Sequence, residues 1–134
     1  MARLILDTTV LVAAERGGAA LDGVIDDADD ATIAAITAAE LLVGVELADR
    51  RRRAGREAFV ADVLGTLPVE EYDLATARAH ARLLATVRRR GKPRGAHDLI
   101  IAATAVATGR EIVTADARGF ADLPDVVVRE LEAG

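Results

Sequence analysis

The chain has 134 residues, 51% of them apolar and 29% charged, a balance that supports one domain with a real core and argues against intrinsic disorder. It contains no cysteine, which excludes disulfide scaffolds, thiolate metal sites and cysteine nucleophiles together and leaves oxygen chemistry. With 22 acids against 17 bases the formal charge is -5, which speaks against a protein that holds polyanions by bulk positive field. Residues 1–134 are read as a single domain, and only Phe59, Tyr72 and Phe120 are aromatic, so its core must rest on Leu, Ile, Val and Ala.

In chain order, the apolar run at 3–6 predicts a short strand stopped by Asp7, followed by a helix from Val10 capped by the hydroxyl of Thr8 or Thr9. Gly17 and Gly18 break the pattern, residues 21–25 suggest another helical turn, and the acidic run at 26–30 leads to a second strand over 32–36. Residues 37–53 read as a helix with Leu41, Leu42, Val45 and Ala48 on one face, and Gly55 allows a bend into a further helix ending near Leu64. A third strand is expected at 67–69, and an amphipathic helix starts at Asp73 with Ala77, Ala81, Leu84 and Val87 at helical spacing. The glycines and proline of residues 88–95 predict a loop. His97 and Asp98 open the next helix, which ends at Gly109. A fourth strand over 111–114, a turn over 115–120 and a fifth strand over 126–128 complete the chain. Strands alternating with helices imply an α/β three-layer sandwich around a mainly parallel sheet. The apolar stretches at 4–6 and 99–108 fall well short of the about 20 residues a membrane span needs, so a soluble cytoplasmic protein without a membrane partner is expected.

In such a sheet, reactive groups gather beyond the carboxyl ends of the strands at a topological switch point. Four acids fall there: Asp7 after the first strand, Glu40 in the helix after the second, Asp98 at the start of its helix, and Asp116 after the fourth strand. Each has a plain structural account as well. Thr37 and Glu40 fit a capping box, Asp98 and Asp116 suit helix N-termini, and Asp7 can cap a turn. Jointly that account weakens, because carboxylates crowded into one pocket raise each other's pKa unless a cation neutralises them. Hard oxygen donors, with neither cysteine nor a histidine pair at ligand spacing, favour magnesium or manganese.

The segments LILDT at 4–8, TAAEL at 37–41, DLIIAATA at 98–105 and VTAD at 113–116, continuing to Phe120, resemble the successive signatures of the PIN domain. More narrowly, the chain resembles the VapC toxins of VapBC toxin–antitoxin pairs. Each motif alone is weak; the ordered set spans essentially the whole chain and is specific. The resemblance implies a Mg2+- or Mn2+-dependent endoribonuclease in which Asp7, Asp98 and Asp116 bind the metal and Glu40 helps to activate water. It also implies that Thr8 and Thr114 supply hydroxyls flanking the metal, that the partners are an RNA substrate and a VapB-type antitoxin, and that the protein is a homodimer. An antitoxin of this kind would cover the acidic pocket with a basic side chain. One departure stands out: the family often carries an acid just before the phenylalanine of the last motif, where this chain has Gly119 and places Asp122 just beyond. A single tightly held ion is therefore expected.

The bases form two clusters. Arg50, Arg51, Arg52 and Arg53 fall at a predicted helix C-terminus, where positive charge suits the dipole. Arg88, Arg89, Arg90, Lys92 and Arg94 lie on the predicted loop before Asp98, placed to grip RNA phosphates. So few aromatics leave recognition to RNA backbone and shape. His97 reads as a helix-start hydrogen bonder, and His80 as a surface or groove residue. Two other classes are weighed against the nuclease. A non-catalytic partner-binding module could use the small apolar residues along 37–53 and 73–87 as a groove for an amphipathic helix, a feature that fits an antitoxin equally well. An aspartyl-phosphate phosphoryl-transfer domain would need a second acid beside Asp7 or a lysine after a late strand, whereas Thr8 and Thr9 follow Asp7 and Lys92 lies in the predicted loop.

Overall fold

The computed structural model describes residues 1–17 and 25–131. Its elements are β1 (Arg3–Leu6), α1 (Thr8–Glu15), β2 (Asp30–Ala34), α2 (Ala35–Glu46), α3 (Arg50–Thr66), β3 (Val69–Glu70), α4 (Leu74–Arg90), α5 (Ala96–Thr108), β4 (Glu111–Thr114) and β5 (Val128–Glu130), with a 3-10 turn at Ala117–Phe120 before β5. The strands form one sheet in the order β3-β2-β1-β4-β5, and every pairing is parallel. The chain therefore starts in the centre, fills one side with β2 and β3, and returns to fill the other with β4 and β5. The switch point lies between the carboxyl ends of β1 and β4.

Alternation along the strands divides the core between the two faces of the sheet. Leu4, Leu6, Ile33 and Val113 turn toward Val10, Leu11, Leu41, Val45, Val60 and Val63 of α1, α2 and α3. Ile5 and Ile112 turn the other way, against Ala79, Leu83 and Val87 of α4 and Leu99, Ala102 and Ala103 of α5. The result is the three-layer α/β sandwich that the sequence predicts.

β1 and β4 have the predicted bounds, whereas β2 and β5 are displaced by two residues and β3 covers only Val69–Glu70. Arg3 pairs with Asp30 and Ile112 with Val128, so the neighbouring strand sets where each of these begins. The cap of α1 is Asp7 and not a threonine: its carboxylate accepts from Val10 N at 3.3 Å. The predicted helix over 37–53 is two helices, because Asp49 accepts from Arg52 N at 3.0 Å and caps a new one. Arg50 to Arg53 thus fill the first turn of α3, the end that repels positive charge, so the dipole account of that cluster fails. Gly55 lies inside α3 and bends nothing. Residues 88–90 belong to the last turn of α4, where their charge suits the dipole, and Gly91 in left-handed geometry (φ 68°) ends the helix, so the loop is confined to 91–95. The helical turn expected over 21–25 lies, apart from Ile25, outside the described residues.

Candidate active site

Asp7 follows the central strand and stands opposite Thr114 at the end of β4, because the register pairs Leu6 with Val113. Its side chain is only 3% exposed as a residue and is held from several directions. Thr114 donates to Oδ2 at 2.6 Å; Oδ1 accepts from the Thr9 hydroxyl at 2.6 Å and from Val10 N at 3.3 Å. Burial nevertheless pushes the Asp7 carboxyl above its ordinary value, and these hydrogen bonds pull it only part of the way back.

Asp98 enters from the first turn of α5. It is half-buried, and its carboxyl is raised by burial first and then by the negative charges of Asp7, Glu40 and Asp116. All four predicted acids therefore act electrostatically on one place, although they come from four separate segments. Two glycines make room for Asp98. A Cβ on Gly119 would lie 2.3 Å from Asp98 Oδ2, and one on Gly95 would lie 3.3 Å from the same oxygen.

Glu40 forms no capping box. The cap of α2 is Ala34, without a side-chain bond, and the buried Thr37 hydroxyl has no hydrogen-bond partner. Instead Glu40 Oε1 accepts from the Thr8 hydroxyl at 2.9 Å, and Oε2 lies 3.4 Å from His97 Nδ1. His97, expected only to support the helix start, faces Glu40. Asp116 behaves differently from the other three. It caps the 3-10 turn, and both its oxygens are taken by Arg118, with Nε donating to Oδ1 at 2.9 Å and Nη2 to Oδ2 at 2.8 Å. The Arg118 hydrogen bonds hold the Asp116 carboxyl down to about 2.

The two threonines expected to flank a metal serve different carboxylates, Thr8 that of Glu40 and Thr114 that of Asp7. Thr9 was missed in the sequence, yet it donates to Asp7 while accepting from Ala115 N at 2.9 Å, joining α1 to the segment after β4. Its position beside an Asp–Thr pair was the available signal. Among the described residues, no three Asp, Glu or His side chains stand close enough to grip one ion as placed. The expected set of Asp7, Asp98 and Asp116 is thus not gathered about one point, and both oxygens of Asp116 are engaged by Arg118. The donor chemistry still suits a hard divalent cation: carboxylate and hydroxyl oxygens, with crowding that a positive ion would relieve.

Of the second basic cluster, only Arg94 adjoins the surroundings of Asp98, through Gly95; Arg88 and Arg89 line two other hollows of the surface. Arg90, Lys92 and Arg94 line a groove of about 550 Å³ together with Val87, Asp122 and Leu123. Arg90 and Arg94 also brace the groove wall, donating to Asp122 O at 2.5 Å and Ala121 O at 2.6 Å. His80 shares a hydrogen bond of 2.7 Å with the Tyr72 hydroxyl. No helix among the described residues is long and apolar enough to cross a membrane.

The family model of the PIN domain matches residues 4–126. The chain is 29% identical over 126 residues to ribonuclease VapC of Rickettsia bellii, covering 93% of each protein. It is 33% identical over 100 residues to the tRNA(fMet)-specific endonuclease VapC of Salmonella typhimurium, covering 73% of each. The crystal structure of VapBC-5 from Mycobacterium tuberculosis, a member of the VapBC family of toxin-antitoxin systems, superposes with a TM-score of 0.80 at 28% identity, over 98% of this chain and all of that one. With its parallel sheet, its acids at the switch point and its four motifs in order, the chain belongs to the PIN-domain family, as a protein of the VapC type.

Proposed function

We propose that the chain is an endoribonuclease toxin that hydrolyses RNA phosphodiester bonds at the Asp7–Asp98 site with a Mg2+ or Mn2+ ion, and that a VapB-type antitoxin restrains it. The observation that carries this reading is the placement of acids at the switch point of the sheet: Asp7 is buried there and bonded by Thr9 and Thr114, and the charges of Asp7, Glu40 and Asp116 all bear on the half-buried Asp98. Asp7 and Asp98 would hold the ion, with Asp116 joining once Arg118 gives way and Glu40 standing beyond them. Such an ion, when bound, would polarise the phosphoryl oxygen and acidify the attacking water. Thr9 and Thr114 fix Asp7, so that its ligand oxygens need no reorganisation. Glu40, oriented by Thr8, is the group to receive the proton of the attacking water, and His97 stands behind it. Arg88, Arg89, Arg90, Lys92 and Arg94 are the candidates to grip phosphates flanking the scissile one, since Arg-phosphate pairs are among the stronger hydrogen-bonded contacts.

The names of the relatives support the RNA substrate, and the toxin–antitoxin complex among the structural neighbours supports the antitoxin partner. The acidic pocket suits a basic antitoxin side chain in the cation's place, and a homodimer is proposed from the VapC likeness. The test is cleavage of a structured RNA with Mg2+ or Mn2+, lost in EDTA and lost in Asp7→Ala and Asp98→Ala. Full activity in EDTA would refute the reading.

A further inference from the structure

Asp116 alone among the four acids gives both its oxygens to a cation of its own chain. The Arg118 amide adds a third bond, to Oδ1 at 3.1 Å. The pairing is not imposed by burial, because the Arg118 side chain is 91% exposed and that of Asp116 44%. Nor is it a consequence of a loose loop. The Thr114 hydroxyl accepts from Asp116 N at 3.0 Å, Thr9 accepts from Ala115 N, and Glu130 accepts from Ala117 N at 2.9 Å. Side chains from α1, β4 and β5 thus anchor the backbone over 115–117. The pair can be exchanged only by rotation of the two side chains, an inexpensive motion at an exposed site.

We propose that Arg118 is an internal counter-cation of the acidic site, occupying Asp116 until a divalent ion displaces it. The inference rests on the metal-dependent reading above and adds a positioning residue that sets how readily the site loads. An exposed ion pair is weak even when bidentate, so a divalent ion shared with the neighbouring carboxylates prevails over it, at the expense of a few-fold in apparent affinity. Arg118 also offsets one of the four clustered negative charges when no metal is bound. Its planar fork matches both oxygens of a carboxylate, which the point charge of a lysine cannot do.

The test is Mn2+ binding to the whole chain, followed by electron paramagnetic resonance of the free ion without RNA, for the wild type, Arg118→Gln, Asp116→Asn and the double variant. Arg118→Gln is expected to bind Mn2+ about three- to fivefold more tightly, the most that an exposed pair supplies. The gain should vanish in the Asp116→Asn background, because it is transmitted through that carboxylate. Thermal melting confirms that each variant is folded, and Arg118→Lys should fall between the wild type and glutamine. Unchanged or weaker Mn2+ binding by Arg118→Gln overturns the inference, as does an equal gain in both backgrounds, which would mark a general charge effect. If the wild type binds no Mn2+, the metal-dependent reading fails and this inference fails with it.

Discussion

Replacing Thr114 with valine keeps the shape of a fully buried side chain and removes one hydroxyl, and that hydroxyl is the 2.6 Å donor to Asp7 Oδ2. A hydrogen bond to a charged group contributes about 1.5–3 kcal/mol, and the Asp116 amide loses its acceptor as well, so a loss of about 2–3 kcal/mol is expected at neutral pH. For 134 residues, unfolding entropy of about 2 cal/mol/K per residue converts this into a fall in Tm of roughly 7–11 °C. The loss depends on pH in a definite direction. Asp7 titrates above its ordinary value of 3.8 in the folded chain because burial outweighs its hydrogen bonds. The stability linked to this group is therefore fully present below 3.8 and is lost as pH rises through the folded value. Without Thr114 the folded value moves higher still, so the gap between variant and wild type widens with pH. At pH 4, with Asp7 more protonated, the gap approaches that of a neutral hydrogen bond, about 1 kcal/mol. Urea denaturation at pH 4 and pH 7 measures both, and Thr114→Ser, which keeps the hydroxyl, should recover most of the loss. Equal losses at the two pH values, or none at pH 7, would refute the argument that Thr114 serves the Asp7 carboxylate.

Gly119→Ala places a methyl group 2.3 Å from Asp98 Oδ2 and must displace that carboxylate. A misplacement of about 1 Å at a reacting group can reduce the rate about 100-fold, so RNA cleavage should fall by that order while the melting temperature changes little; a wild-type rate would show that Asp98 is not held where it is needed. Arg110 is a test of the scaffold away from the acids. Its side chain is 6% exposed and bonds Glu70 Oε1 at 3.1 Å, Asp30 O at 2.8 Å and Leu4 O at 3.3 Å, tying β1, β2 and β3 to the start of β4. Arg110→Met removes charge-assisted hydrogen bonds to the half-buried Asp30 and Glu70 carboxylates and leaves Asp30 O and Leu4 O without this donor, so it should destabilise by about 2–3 kcal/mol, or roughly 7–11 °C in Tm; a shift below a few degrees would mean that water replaces the arginine.

Short apolar runs ended by Asp7 and Thr114 made β1 and β4 legible to the residue, because nothing else in those segments competes with a buried strand. The α2–α3 boundary was misread because Leu47 and Ala48 continue the helical pattern, and only the Asp49 cap interrupts it. Arg50 to Arg53 consequently changed ends of a helix, and with it changed the sign of their interaction with the dipole. The acids were legible as candidates from their places at the ends of elements, and the parallel topology then required them to share one edge.

What each acid is bonded to could not be read in the same way. Thr114 and Asp7 are separated by 107 positions, and Thr8 and Glu40 by 32, yet their partnerships depend on contacts of less than 3 Å. Hydrophobic patterning and element order specify the layered fold, its switch point and the supply of carboxylates there. The bracing of Asp7 by Thr9 and Thr114, the contacts of Glu40 with Thr8 and His97, and the engagement of Asp116 by Arg118 come from the packed fold. Hydrophobic periodicity acts over whole elements and is written locally in the chain, whereas a hydrogen bond or ion pair is made or lost within an ångström set by the packing of all the elements together.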